Sequence, residues 1–107
     1  MIYQFGNCEL DVARVVFRRD GEELHLEPQV FDVLSYLVTH RGQVVHKTDL
    51  LDHVWGGRFV SESALTTQIK FVRQAVGDAG SEQRVVRTVH GKGYEFVDKI
   101  SGGVIPR

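Results

Sequence analysis

At 107 residues, 42% of them hydrophobic and 25% charged, the chain is long enough to bury a core without metal or disulfide staples. The single Cys8 excludes an internal disulfide and fits a reducing compartment, here expected to be the cytoplasm. No apolar run reaches the length of a membrane span, Met1-Ile2-Tyr3-Gln4 carries no cleavable-signal pattern, and the net charge of −1 excludes indiscriminate binding to polyanions.

The charge is uneven. Residues 1–54 hold 5 Lys/Arg and 9 Asp/Glu, whereas residues 55–107 hold 8 and 5. An anionic partner is therefore expected to approach the C-terminal half.

Residues 2–26 predict a small antiparallel sheet of four short strands. Ile2-Tyr3-Gln4-Phe5 alternates apolar and polar, Gly6-Asn7 supplies a turn, and Glu9–Val12 and Val15–Arg18 follow. Asp20-Gly21 is a strong two-residue hairpin signal, with Leu24–Leu26 returning. Glu27-Pro28 opens a first helix, because proline lacks an N–H that the first helical position does not use. Val30, Phe31, Leu34, Leu37 and Val38 form its apolar stripe, and Gly42 is expected to end it. Val44-Val45 is long enough only for a bridging strand. A second helix is expected from Lys47 to Trp55, with Leu50, Leu51, Val54 and Trp55 inward and Gly56-Gly57 as its stop.

A third helix is predicted over 61–78. Leu65, Ile69, Val72 and Val76 recur at steps of four, three and four, the spacing of one buried face. The opposite face carries Ser63, Thr67, Lys70 and Gln74, flanked by Ala64, Gln68 and Phe71, and has no acid. Short, amide-bearing and basic side chains suit close approach to a polar anionic surface such as the DNA major groove. Ser61 is the expected N-cap, with Glu62 at the positive helix end. Phe71 is expected to tuck partly under the hairpin that follows. A dimer contact or a thymine-methyl contact are the alternatives. That hairpin is predicted from Arg84–His90 and Tyr94–Val97, with His90 and Lys92 at its Gly-flanked tip. Three helices and a basic-tipped hairpin describe an α+β winged helix, whose second and third helices match a helix-turn-helix layout. The domain is expected to span residues 1–99, with 100–107 as tail or linker.

Other chemistry finds little support. His46, Asp49 and His53 could share a helix side, but no His-Glu-x-x-His or Cys-x-x-Cys spacing occurs, so no metal is expected. Gly91-Lys92-Gly93 lacks phosphate-loop spacing, and no Gly-x-Ser-x-Gly elbow is present. Neither an enzyme activity, a cofactor nor a small-molecule substrate is expected.

The sequence resembles the C-terminal effector domain of OmpR/PhoB-type bacterial transcription regulators. The matching stretches are Leu26–Leu34, Gly42–Val45, Leu50–Gly56, Val60-Ser61, Ile69 to Arg73, and Arg87-Thr88-Val89-His90-Gly91-Lys92-Gly93-Tyr94-Glu95-Phe96. The resemblance covers nearly residues 3–98, and its closing Thr-Val-x-Gly-x-Gly-Tyr pattern is specific. It implies a four-stranded N-terminal sheet, a third helix that reads the major groove of double-stranded DNA, and a hairpin wing (84–98) at the adjacent minor groove. The chain departs from the pattern at Phe71, where many relatives carry a basic residue, and at His90, where the wing usually has Arg. It also departs at His46 and Glu27, where Ser or Thr often caps a helix. The order also resembles CadC/ToxR-like regulators, whose DNA-binding domain comes first, so a further effector domain in a longer parent protein is expected.

On this reading Ser63, Ala64, Thr67 and Gln68 are expected to meet base edges. Lys70, Arg73 and Arg87 are expected to meet phosphates, with Ser61, Thr88, His90 and Lys92 also at the DNA. His90 supplies a cation there only when protonated. The resemblance further implies that the loop carrying Arg58 and Phe59 touches RNA polymerase, and that two copies bind direct-repeat DNA head to tail. The alternative is a winged helix used as a protein-interaction module without specific DNA binding.

Overall fold

The computed structural model describes residues 2–56 and 60–100. The chain opens with a meander of β1 (Ile2–Phe5), β2 (Cys8–Asp11), β3 (Val16–Arg19) and β4 (Glu22–Leu24), paired antiparallel in that order. Phe5 faces Cys8 and Arg19 faces Glu22, so both outer turns contain two residues. Asp20 and Gly21 take φ of +55° and +80°, the paired positive values of a type I′ turn. That tight turn starts β4 at Glu22, two residues earlier than the apolar pattern at Leu24–Leu26 predicts. Tyr3, Phe5, Leu10 and Phe17 put one sheet face into the core.

Helix α1 (Pro28–Thr39) begins with proline at its first turn, as expected, and buries Val30, Phe31, Val33, Leu34, Leu37 and Val38. It ends before the expected Gly42. The Thr39 hydroxyl donates to the Ser35 carbonyl, and the His40 and Arg41 amides close the last turn on Tyr36 and Val38. These bonds satisfy the terminal carbonyls without a glycine cap.

A two-residue strand β5 (Val45–His46) leads straight into α2 (Lys47–Trp55). Leu50 and Trp55 are buried, Leu51 and Val54 pack against the core from its edge, and Gly56 ends α2 in the left-handed conformation. Helix α3 (Glu62–Val76) buries the four residues of the predicted stripe, Leu65, Ile69, Val72 and Val76. Burying such side chains contributes roughly 1.5–3 kcal/mol each. Strands β6 (Val86–Val89) and β7 (Gly93–Phe96) form the hairpin, and β5 joins them in the order β5-β7-β6. Gly93 permits that join, since a Cβ there would overlap the Val45 carbonyl oxygen.

The core lies between the two sheets and the helices. Phe5 and Phe96 meet edge to face at 5.0 Å, and α1 packs against α3. Ile100 also packs against the core. The architecture is the α+β winged helix expected from the sequence.

Candidate nucleic-acid interface

One face of α3 is covered by the core and its opposite face is open. Ser63, Thr67, Lys70 and Gln74 are all exposed along it, with Ala64 and Gln68 half-buried at one flank. The only acid on α3 is Glu62, in its first turn, where it pairs with Lys47 at 3.0 Å. That pair also ties the starts of α2 and α3 together.

Ser61 occupies the N-cap position, but not as a side-chain cap. Its hydroxyl meets the Ser63 hydroxyl at 2.9 Å, while its carbonyl accepts the Ala64 amide. The Thr67 hydroxyl donates to the Ser63 carbonyl at 3.0 Å. Its methyl is therefore the group left to face outward. Gln68 is turned the other way. Its Oε1 is buried and accepts no hydrogen bond among the described residues.

The hairpin lies against the flank of α3 that carries Arg73. The guanidinium donates through Nε and Nη2 to the Val86 carbonyl at 3.2 and 3.1 Å, and through Nη2 to the Thr88 hydroxyl at 2.8 Å. Arg73 thus latches β6 to α3. The Thr88 amide donates to Gln83 Oε1 at 2.7 Å. Arg87 points outward, half-exposed, and pairs with Glu95 at 2.8 Å. His90, Gly91 and Lys92 form the three-residue tip, all exposed, with Gly91 at φ +74°. The tip is anchored from below, because the Lys47 amide at the start of α2 donates to the Lys92 carbonyl at 3.1 Å. Among the described residues, the ammonium groups of Lys70 and Lys92 have no ion-pair partner.

Phe71 is not tucked under the hairpin. It is 43% exposed on the opposite flank, where it and Gln68 wall a groove with Glu27, Pro28, Gln29 and Val30 at the start of α1. The helical step explains this: Phe71 lies roughly 160° around the axis from Arg73, which faces the hairpin. Arg58 and Phe59 lie outside the described residues.

Asp78 falls at the end of the predicted third helix, but α3 stops at Val76 and Asp78 instead organises the interface. Its carboxylate accepts the amides of Ala79, Arg84, Val85 and Val86 at 2.8–3.1 Å. Burial alone would raise its pKa, but these four bonds outweigh burial and hold it below the usual carboxylate value. Two arginines cap the same end of α3. Arg19 donates to the carbonyls of Gln74 and Ala75, and Arg84 to that of Gly77. Their charges complement the negative end of the helix. The signal for Asp78 was its position just after the capping Gly77. Nothing local in the sequence points from Arg19 to a helix 55 residues away. Cys8 is buried beside the Val76 carbonyl, and burial pushes its thiol up to about 11. Among the described residues no cluster of His, Cys, Asp or Glu could hold a metal ion, and no helix is long and apolar enough to cross a membrane.

The family model described as "Transcriptional regulatory protein, C terminal" matches residues 21–96. The chain is 33% identical over 97 residues to the phosphate regulon transcriptional regulatory protein PhoB of Pseudomonas aeruginosa, covering 90% of this chain and 42% of that protein. It is 31% identical over 80 residues to the transcriptional activator CadC of Escherichia coli, covering 74% of this chain and 16% of that protein. It thus spans less than half the length of these curated relatives. Among solved structures, the RstA DNA-binding domain of Klebsiella pneumoniae, crystallised with the RstA box, superposes with a TM-score of 0.80 at 28% identity. That match covers 90% of this chain and 96% of that one.

Proposed function

The chain belongs to the family of transcriptional regulatory protein C-terminal domains, and on that premise we propose that it binds double-stranded DNA sequence-specifically to regulate bacterial transcription. One observation carries the reading: the open face of α3, acid-free beyond Glu62, lies beside a hairpin whose tip presents His90 and Lys92. A helix with short polar side chains can enter the major groove, and a basic-tipped hairpin beside it can reach the neighbouring minor groove.

Within this reading Ser63, Ala64, Thr67 and Gln68 meet base edges. Gln68 must rotate outward to pair with adenine, and rotation frees a carbonyl that has no donor in the unbound protein. Lys70 and Lys92 neutralise phosphates directly, with Ser61 and His90 nearby. Arg87 must first exchange Glu95 for a phosphate, while Arg73 and Thr88 hold the hairpin at the angle that lets it reach the duplex. Residues 1–99 are the DNA-binding unit. The protein acts in the cytoplasm as part of a longer regulator, with two copies head to tail on direct repeats. Arg58 and Phe59 are the proposed contact to RNA polymerase. Arg58→Ala should leave duplex affinity unchanged and lower activation in a reporter; joint loss of both would make Arg58 a DNA contact.

The test is affinity for a duplex selected from a random pool, compared with a scrambled duplex, across salt concentrations. The selected duplex should bind more tightly, and the logarithm of affinity should fall linearly with that of salt. Equal, salt-insensitive affinities would favour a protein-interaction module instead.

A further inference from the structure

Among the described residues only Val15, Phe71 and Val97 are large hydrophobics left exposed, and Phe71 alone of these lies on α3. It follows Thr67 by four residues and Ala64 by seven, so the three side chains line one strip of the helix. Ala64 offers a methyl group. Thr67 offers another, because its hydroxyl is held by the Ser63 carbonyl at 3.0 Å. The strip runs about 10 Å along α3, roughly three base-pair steps. Polar Ser63, Lys70 and Gln74 border it on the open side, and the hairpin packs on the far flank through Arg73. The phenyl ring is 43% exposed and walls the groove at the start of α1 on one side, with the groups proposed to read bases on the other.

In the major groove the thymine C5-methyl is the one bulky apolar group at the base edges, where the other groups that protrude are mostly hydrogen-bond donors and acceptors. A ring set against those polar edges would desolvate them without replacing their bonds. We propose that Phe71 reads a thymine methyl, as the outermost member of the apolar strip Ala64-Thr67-Phe71. The proposal rests on the DNA-reading role assigned above to α3, and it names the base feature which that helix selects.

The experiment uses the full chain and the duplex it selects from a random pool. Each thymine is replaced singly by deoxyuridine, which removes only the methyl group. At one position the replacement should weaken the parent about three- to fivefold, the effect of one buried methyl group. Phe71→Ala should bind the thymine and uracil duplexes equally at that position, and Phe71→Leu should keep part of the discrimination. The ring is 43% exposed, so Phe71→Ala should fold as the parent does, which its thermal unfolding checks. If no uracil position separates the parent from Phe71→Ala while sequence preference persists, Phe71 is not a methyl reader. If Phe71→Ala reduces only cooperative filling of two half-sites, the ring contacts a second copy and the proposal is overturned. A parent with no preference for the selected over a scrambled duplex would overturn the underlying DNA reading, and this proposal with it.

Discussion

Two carboxylate oxygens of Asp78 accept four backbone amides, joining the end of α3 to the start of the wing. Those bonds lower its pKa in the folded chain despite burial. Asp78 therefore binds its proton less readily folded than unfolded. Its stabilisation is complete above the unfolded value, about 3.9, and is lost as pH falls through the lower folded value. Asp78→Asn puts an amide NH₂ against N–H donors and should cost about 2–4 kcal/mol at pH 7. Urea midpoints at pH 7 and pH 3 should show that gap narrowing in acid; an equal gap at both would mean the charge is not what holds the turn. Gln68 presents the opposite case, a buried carbonyl oxygen without a donor. Gln68→Met should stabilise the free protein by about 1 kcal/mol. It should also relax preference at one base position by about 1–3 kcal/mol. A variant that loses stability, or weakens on all duplexes alike, would count against Gln68 as a reader that rotates outward.

Helix α3 and the wing act as one element because Arg73 spans them with three hydrogen bonds. The Lys92 contribution to binding then depends on Arg73. Lys92→Ala should weaken duplex binding in the parent and do much less in an Arg73→Ala background, a coupling on the order of 1 kcal/mol in a double-mutant cycle. Additive effects would show that the wing holds its angle without the latch. The wing is also braced from its other edge, where Gly93 brings β7 against Val45 and the Lys47 amide holds the tip.

At the scale of the whole molecule the net charge is −1, so affinity for DNA must come from local placement of cations rather than from the total. Lys70→Ala and Lys92→Ala should each flatten the salt dependence of duplex binding by about 0.9 in slope. Arg87→Ala should flatten it less, because in the free protein Arg87 already pairs with Glu95. Salt titrations of the three variants check the order. A change for Arg87 as large as that for Lys70 would mean that the exchange of Glu95 for a phosphate leaves no trace in the salt dependence.

The sequence by itself determined the elements and their outer faces. The stripe Leu65-Ile69-Val72-Val76, Pro28 at a helix start and Asp20-Gly21 at a turn depend on residues within a turn or two of one another, and local periodicity reports local structure. Lys70 on the open face and His90 and Lys92 at the tip were legible for the same reason. What a side chain touches across the fold was not. Arg73 has the composition of a phosphate contact, but its guanidinium serves Val86 and Thr88, because folding back the hairpin brings carbonyl and hydroxyl acceptors within its reach. Phe71 was expected under the wing, yet it faces the start of α1, because the packing of α1 against α3 decides which flank of the helix each neighbour covers. Asp78, Arg19 and Arg84 carry no local signal of their partners; tertiary structure placed unpaired amides and helix-end carbonyls beside them. Buried backbone groups must find partners wherever the fold puts them, and no local pattern records which distant residue will supply one.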